Sequence, residues 1–202
     1  MRKLLGVFVL GGICMLAAPL WAQQVDVAFG GGSLYGPPAN ISSGGYLPSE
    51  GGGAYIGFSG DVLFKKSLGL ETDVNWRGGQ GLYQQSFPFR PVFWTVNAIY
   101  VHPFTTRAAF EILGGIGVQS VRFYQGATNC DIYGNCSNYV SYNHFLADAG
   151  GGLKFYVFHH FFVRPEVRVH FVSNNTQLGT GFSSSYPIRY GASLGYTFGG
   201  SK

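Results

Sequence analysis

Hydrophobic and polar residues alternate along most of the chain after Gln23, and no stretch there keeps the 3.6-residue period of an amphipathic helix. The clearest case is FVRPEVRVHF at residues 162–171, where polar side chains occupy every second position: Arg164, Glu166, Arg168 and His170. Because successive side chains of a strand point to opposite faces, this segment has one ionic face and one apolar face. The pattern predicts β-strands throughout.

Eight such segments are predicted, separated by clusters of Gly, Pro, Asn and Ser. They run from Val25 to Tyr35, Gly53 to Phe64, Leu68 to Arg77, Pro91 to Val101, Ala108 to Phe123, His144 to Val157, Phe161 to Val172 and Pro187 to Phe198. Short connections at 65–67, 103–107 and 159–160 alternate with long ones. This rhythm predicts an all-β fold, an eight-stranded antiparallel up-and-down transmembrane β-barrel with short turns at one end and four long loops at the other.

Composition indicates which face of the strands meets lipid. Only 11% of residues are charged, against about 25% in soluble proteins, and the chain has 32 Gly, 13 Tyr and 18 Phe. An Arg or Lys facing lipid at mid-membrane costs about 2–4 kcal/mol, so the ionic faces are predicted to line the lumen. The alternative is a soluble lipocalin-like barrel with the faces reversed. It would need an outer surface rich in Lys and Glu, which this chain lacks.

Strand parity gives a set of ionisable side chains predicted to form an ion network in the lumen: Asp61, Glu71, Asp73, Arg77, Glu111, Asp148, Lys154, Arg164, Glu166, Arg168, His170 and Arg189. Acids and bases nearly balance in this set, so they are expected to pair with one another. The interior of an eight-stranded barrel is narrow enough for side chains to fill it. We therefore predict a packed ionic plug that holds the barrel closed. Pro165, which lacks an N–H group, predicts a local bulge or a missing ladder bond.

The first residues predict export. Arg2 and Lys3 precede an apolar run, and small residues lead up to Ala22, which is typical of a cleaved signal peptide. The alternative, a transmembrane helix, is disfavoured because Pro19 interrupts an already short run. Residues 1–22 are thus predicted to be a signal peptide and residues 23–202 a barrel domain. Removing Arg2 and Lys3 lowers the formal net charge of +4, and no basic patch remains to indicate nucleic-acid binding.

Cys130 and Cys136 lie in the polar segment CDIYGNC. In an exported protein this spacing predicts a local disulfide. A structural zinc site would need a second pair of ligands, which is not found nearby, so no metal or cofactor is expected.

Four stretches carry a family resemblance: GGSLYG at 31–36, AGGGLKFYV at 149–157, VRPEVRV at 163–169 and SLGYTFG at 193–199. With them the chain resembles the small outer-membrane β-barrel family typified by the transmembrane domain of outer membrane protein A and its OmpX-like relatives. The resemblance implies a Gram-negative outer membrane and a last strand read by the barrel-insertion machinery. The chain departs from the pattern in ending with Gly-Gly-Ser-Lys after Phe198. No peptidoglycan-binding domain is expected after Phe198.

The function predicted from these features is a non-enzymatic structural or recognition role, carried by four extracellular loops. Expected partners are outer-membrane lipid and lipopolysaccharide, the insertion machinery and an extracellular ligand, with the protein a monomer. One alternative is a narrow, low-conductance pore. Another is an outer-membrane lipid A acyl hydrolase, because His170 and Ser173 resemble part of its His-x-Ser-Asn motif. Their spacing of three, however, predicts opposite faces of the strand.

Overall fold

Eight antiparallel strands pair in a closed ring. The computed structural model describes residues 24–36, 39–40, 46–47, 51–64, 67–83, 87–130, 134, 136–173 and 186–199. The barrel strands are β1 (Gln24–Tyr35), β2 (Ala54–Leu63), β3 (Leu68–Arg77), β4 (Phe87–Thr105), β5 (Ala108–Cys130), β6 (Cys136–Phe158), β7 (Phe161–Val172) and β8 (Ile188–Gly199). Each strand pairs with its neighbours in sequence, and β8 pairs with β1, placing Gly199 opposite Gln24. The eight-stranded up-and-down barrel is thereby confirmed.

Among the described residues, three short strands lie outside the ring. Ala39–Asn40 pairs with Tyr46–Leu47, and Gly81–Tyr83 pairs with the first residues of β4. The predicted signal peptide at residues 1–22 lies outside the described residues, as does most of the loop between β7 and β8. In the part of the chain that is described, no helix is long and apolar enough to cross a membrane.

The apolar faces of the strands point away from the lumen. In β3, Leu70 is 46% exposed and the adjacent Glu71 is 1% exposed, and the same alternation runs through β4 and β8. Large side chains of the outer face form a belt around the barrel: Val27, Phe29, Phe58, Leu70, Trp94, Val96, Ile112, Ile116, Phe145, Leu153, Val167, Tyr190 and Leu194. Such a belt suits the hydrocarbon core of a bilayer. The predicted assignment of faces is confirmed.

Strands β5 and β6 extend further than the sequence predicts. The segment between Phe123 and His144 was expected to be a long loop, but the two strands continue to Cys130 and Cys136. A register shift between Tyr124 and Asn129 interrupts this hairpin. The two cysteines face each other at its tip and form the predicted disulfide.

Pro165 interrupts the ladder on one side only. Between β6 and β7 the pairing passes from Val163 opposite Phe155 directly to Glu166 opposite Gly152, in the same register. On the other side Pro165 stays paired with Ala192 of β8. The structure therefore has the missing bond, which follows from the absent N–H group, and no bulge at this residue.

Candidate functional site in the barrel lumen

The lumen is filled in three layers, with the charged side chains in the middle one. At the end with the long loops, an apolar cluster contains Leu34, Tyr55, Phe93, Leu146 and Val172. At the end with the short turns, a second contains Leu63, Ile99, Val101, Ala109 and Leu113. Most charged side chains between the two clusters are almost fully buried, and burial strengthens the electrostatic interactions among them.

Arg168 of β7 lies at the centre of the charged layer and is fully buried. Its two terminal nitrogens donate to the two carboxylate oxygens of Glu71 on the opposite wall, over 2.6 and 3.1 Å. Nη2 also donates to Glu166, over 2.9 Å. A bidentate Arg–carboxylate pair is among the strongest and most directional polar contacts. This pair links β7 to β3 across the lumen.

Arg164 occupies the same face of β7 two residues earlier. Its Nη1 lies 3.1 Å from Asp61, 3.2 Å from Glu71 and 3.3 Å from Glu111, and its Nη2 donates to Ser59 over 2.6 Å. These partners belong to β2, β3 and β5, so one guanidinium ties three strands to β7.

Lys154 of β6 extends the ion network from Arg164 towards the short-turn end of the lumen. Its Nζ lies 2.7 Å from Asp26 and 2.5 Å from Glu111, and 4.6 Å from the centre of the Phe162 ring. Asp26 is 1% exposed and belongs to the network, although it is absent from the predicted set. The signal was available, since Asp26 opposes the outward Val25 and Val27 on β1.

Arg189 joins the network from β8. It lies 3.2 Å from Asp73 and 2.8 Å from Glu166, whose other oxygen accepts from Arg168. Asn75 donates to Asp73 over 2.7 Å. Together these contacts connect β8 to β3 and β7.

Two glycines of β6 pair with the ionic face of β7, Gly150 with Arg168 and Gly152 with Glu166. A Cβ atom at Gly150 would lie 2.9 Å from Cγ of Arg168, and one at Gly152 would lie 3.5 Å from Cγ of Arg164. The first of these distances is a clash. At Gly150 the nearest atom is the backbone oxygen of Val167, at 2.6 Å, so a larger residue there would collide with the backbone of β7 as well as with Arg168.

His170 lies in the lumen and not beside Ser173. Its Nδ1 is 3.1 Å from Asp148, and its ring stacks on Phe93 with centres 5.0 Å apart. The alternation of β7 continues to its end, with Val172 buried and Phe171 exposed, so Ser173 follows on the opposite parity from His170. This arrangement does not bring the two members of the hydrolase motif together.

Arg77 is placed differently from the rest of the predicted set. It lies at the end of β3 near the long loops, is half-buried, and its guanidinium carbon is 5.3 Å from the centre of the Phe89 ring. With Arg77 at the rim and Asp26 added, the charged layer contains more acids than bases: Asp26, Asp61, Glu71, Asp73, Glu111, Asp148 and Glu166 against Lys154, Arg164, Arg168 and Arg189. The expected near balance of charge was therefore wrong.

Neutral groups compensate for part of this excess. Asn97 donates to Glu71 over 3.1 Å and to Asp148 over 3.2 Å. A cavity of about 20 Å³, room for about one water molecule, lies beside Asp73, Glu166 and Arg189. Among the described residues, no group of His, Cys, Asp and Glu side chains has an arrangement that could hold a metal ion. The site's evident capability is to link strands across the lumen.

The comparisons with known proteins give similar structures and no similar sequence. No protein-family model matches the chain, and the search of curated proteins found no match. Neisserial surface protein A matches at 11% identity with a TM-score of 0.57, over 87% of this chain and 96% of that one. Ail, the attachment invasion locus protein of Yersinia pestis, in complex with the heparin analogue sucrose octasulfate, matches at 14% identity with a TM-score of 0.51, over 87% and 98%. The N-terminal β-barrel domain of Pseudomonas aeruginosa OprF matches at 15% identity with a TM-score of 0.50, over 88% and 98%.

At these identities the likeness concerns the fold, and it agrees with the apolar belt and the ionic lumen. The chain has the eight-stranded antiparallel β-barrel fold of the small outer-membrane proteins that it matches.

Proposed function

We propose that the protein is a non-enzymatic barrel whose ion network keeps the lumen closed, and whose long-loop end is a recognition surface. The observation that carries the proposal is the charged layer between two apolar layers. Arg164, Arg168 and Lys154 are each at most 2% exposed. A lumen filled in this way supports a rigid scaffold better than a pathway for solutes.

The recognition surface is the extended hairpin of β5 and β6. The ladder between β7 and β6 ends at Val172 opposite Leu146, whereas β6 continues to Cys136. Beyond that level the hairpin exposes Tyr139, Val140 and Tyr142. Exposed aromatic side chains on a rigid support favour protein or glycan binding. The disulfide limits the conformations of the tip, so less conformational entropy is lost on binding.

We also propose how the protein reaches the outer membrane and which molecules surround it there. Residues 1–22 would direct export, the insertion machinery would read β8, and the barrel would work as a monomer among outer-membrane lipids and lipopolysaccharide. Tyr196 and Phe198 on the outer face of β8 are the side chains that such machinery would meet.

Two measurements test the closed scaffold. Envelope fractionation followed by a gel of boiled and unboiled samples should give a heat-modifiable band in the outer-membrane fraction. The purified protein in a planar bilayer should give no discrete conductance steps above those of protein-free lipid. Reproducible steps would contradict the closed lumen, and a band that does not shift on boiling would contradict the stable barrel.

A further inference from the structure

Two arginines face outward from the barrel wall, directly opposite each other. Arg90 of β4 pairs with Arg122 of β5 in the antiparallel ladder. Arg90 has the same parity as Trp94, which is 57% exposed, and Arg122 has the same parity as Val118, which is 42% exposed. Both arginines therefore lie on the lipid-facing side of the wall, and both are half-buried.

Their height on the barrel coincides with the edge of the apolar belt. On β4, ten residues separate Arg90 from Tyr100, an outward aromatic residue near the short turns. At about 3.4 Å per residue and a strand tilt of about 40°, that is about 25 Å along the membrane normal, which equals the usual height of the apolar band. Arg90 and Arg122 thus lie at the headgroup level of the long-loop side.

The pair lacks a counter-charge in the described part of the chain. Like charges directly opposite each other on a sheet are destabilising. Arg90 donates to the carbonyl oxygen of Gly78 over 3.3 Å, and the guanidinium of Arg122 lies 5.2 Å from the centre of the Tyr139 ring. The Nε atom of each arginine is buried and has no hydrogen-bond partner among the described residues. The described ion pairs belong to the lumen and include neither arginine.

We propose that Arg90 and Arg122 bind a phosphate group of an outer-leaflet lipid headgroup between them. The inference rests on the proposed outer-membrane setting. Guanidinium groups are suited to phosphate because their planar donors match its oxygens. Phosphate would also remove the repulsion between the two cations. We assign the lipid rather than a soluble anion because the side chains project from the same outer face as Trp94 and Val118, which lie four residues away on the two strands.

The test uses the full mature chain reconstituted into phosphatidylcholine vesicles with increasing diphosphoryl lipid A. Protein-bound lipid A is counted by native mass spectrometry after release into mild detergent. Arg90→Gln and Arg122→Gln should each weaken lipid A binding about tenfold, the loss expected for one charge-assisted contact. The matched control is Arg107→Gln, which removes the same charge from the exposed turn at the other end of the barrel. It should bind lipid A like the parent chain.

Three outcomes would overturn the inference. The first is unchanged lipid A binding in the variant that carries both Arg90→Gln and Arg122→Gln. The second is an equal loss of lipid A binding in Arg107→Gln. The third is displacement of lipid A by millimolar inorganic phosphate or sucrose octasulfate. The last would indicate a soluble-anion site. Heat-modifiability on unboiled gels is recorded for every variant, so loss of the barrel is distinguished from loss of the lipid site. If the parent chain failed to insert into vesicles, the proposed function would be contradicted. If the parent chain inserted and the arginine variants still bound lipid A normally, only the lipid site would be contradicted.

Discussion

Replacing Arg168 with leucine tests whether the ion network stabilises the barrel. Removing one member of a buried ion pair costs about 3–5 kcal/mol, because the remaining charge is left without compensation. Glu71 would keep Arg164 at 3.2 Å and Asn97 at 3.1 Å, and Glu166 would keep Arg189 at 2.8 Å. These remaining contacts favour the lower end of the range. We expect Arg168→Leu to lower the free energy of unfolding by about 3 kcal/mol, roughly a hundredfold in the unfolding equilibrium.

The assay is urea unfolding in lipid vesicles, with the folded fraction read as the fast-migrating band of unboiled samples. Arg107→Leu, on the exposed turn, should leave the midpoint unchanged. Adding Glu71→Gln to Arg168→Leu should restore part of the loss, because it removes the negative charge that has lost its bidentate arginine partner. The reasoning would be refuted if Arg168→Leu unfolded at the midpoint of Arg107→Leu, or if the double variant lost the sum of the two single effects.

Three further predictions concern other parts of the chain. Ser173→Ala should leave the acylation pattern of lipid A unchanged by mass spectrometry, and a lost deacylated species would instead support a hydrolase. Replacing Cys130 and Cys136 with serine should speed protease cleavage at the hairpin tip without moving the urea midpoint, since the closed loop is short and outside the ring; a shifted midpoint would contradict this. Gly191→Val should prevent the fast-migrating band from forming, because its Cβ would collide with the backbone oxygen of Gly31 and lie 2.8 Å from Cα of Gly32 on β1. Gly79→Ala, which has open space around it, should fold normally. Equal folding of the two variants would contradict the close approach of β1 and β8.

The sequence predicted the barrel well because the membrane imposes one rule on every strand. A side chain on the outer face meets hydrocarbon, so parity separates apolar from ionic residues wherever a strand crosses the bilayer. Glu71 and Arg168 could be placed in the lumen for this reason. The rule does not apply above the bilayer, where both faces of the β5–β6 hairpin meet water. The segment after Phe123 therefore looks like a loop in sequence and is a strand in the structure.

The contacts between side chains across the lumen were harder to predict from the sequence than the face of the strand on which each side chain lies. Strand parity predicts that Lys154 and Asp26 point inward. Whether the two side chains are in contact depends on the tilt and register of the strands, which parity does not give. Arg77 shows the converse, since it has the right parity and lies too near the rim to join the network. Side-chain volume also limits which residues can face each other across neighbouring strands. Gly150 faces Arg168 across the ladder, and a larger residue there would collide with it.

The same geometry explains why recognition is expected outside the lumen. The arginines of β7 reach partners on β2, β3 and β5, so moving one of them would leave carboxylates unpaired on several strands at once. A buried network of this kind resists rearrangement, since partly satisfied charges cost more than fully paired ones. In the described part of the hairpin beyond Phe123, substitutions break no contact of this network. Substitutions that change what the protein binds are therefore expected to cost the least stability at the long-loop end, where they leave the side chains of the lumen unchanged.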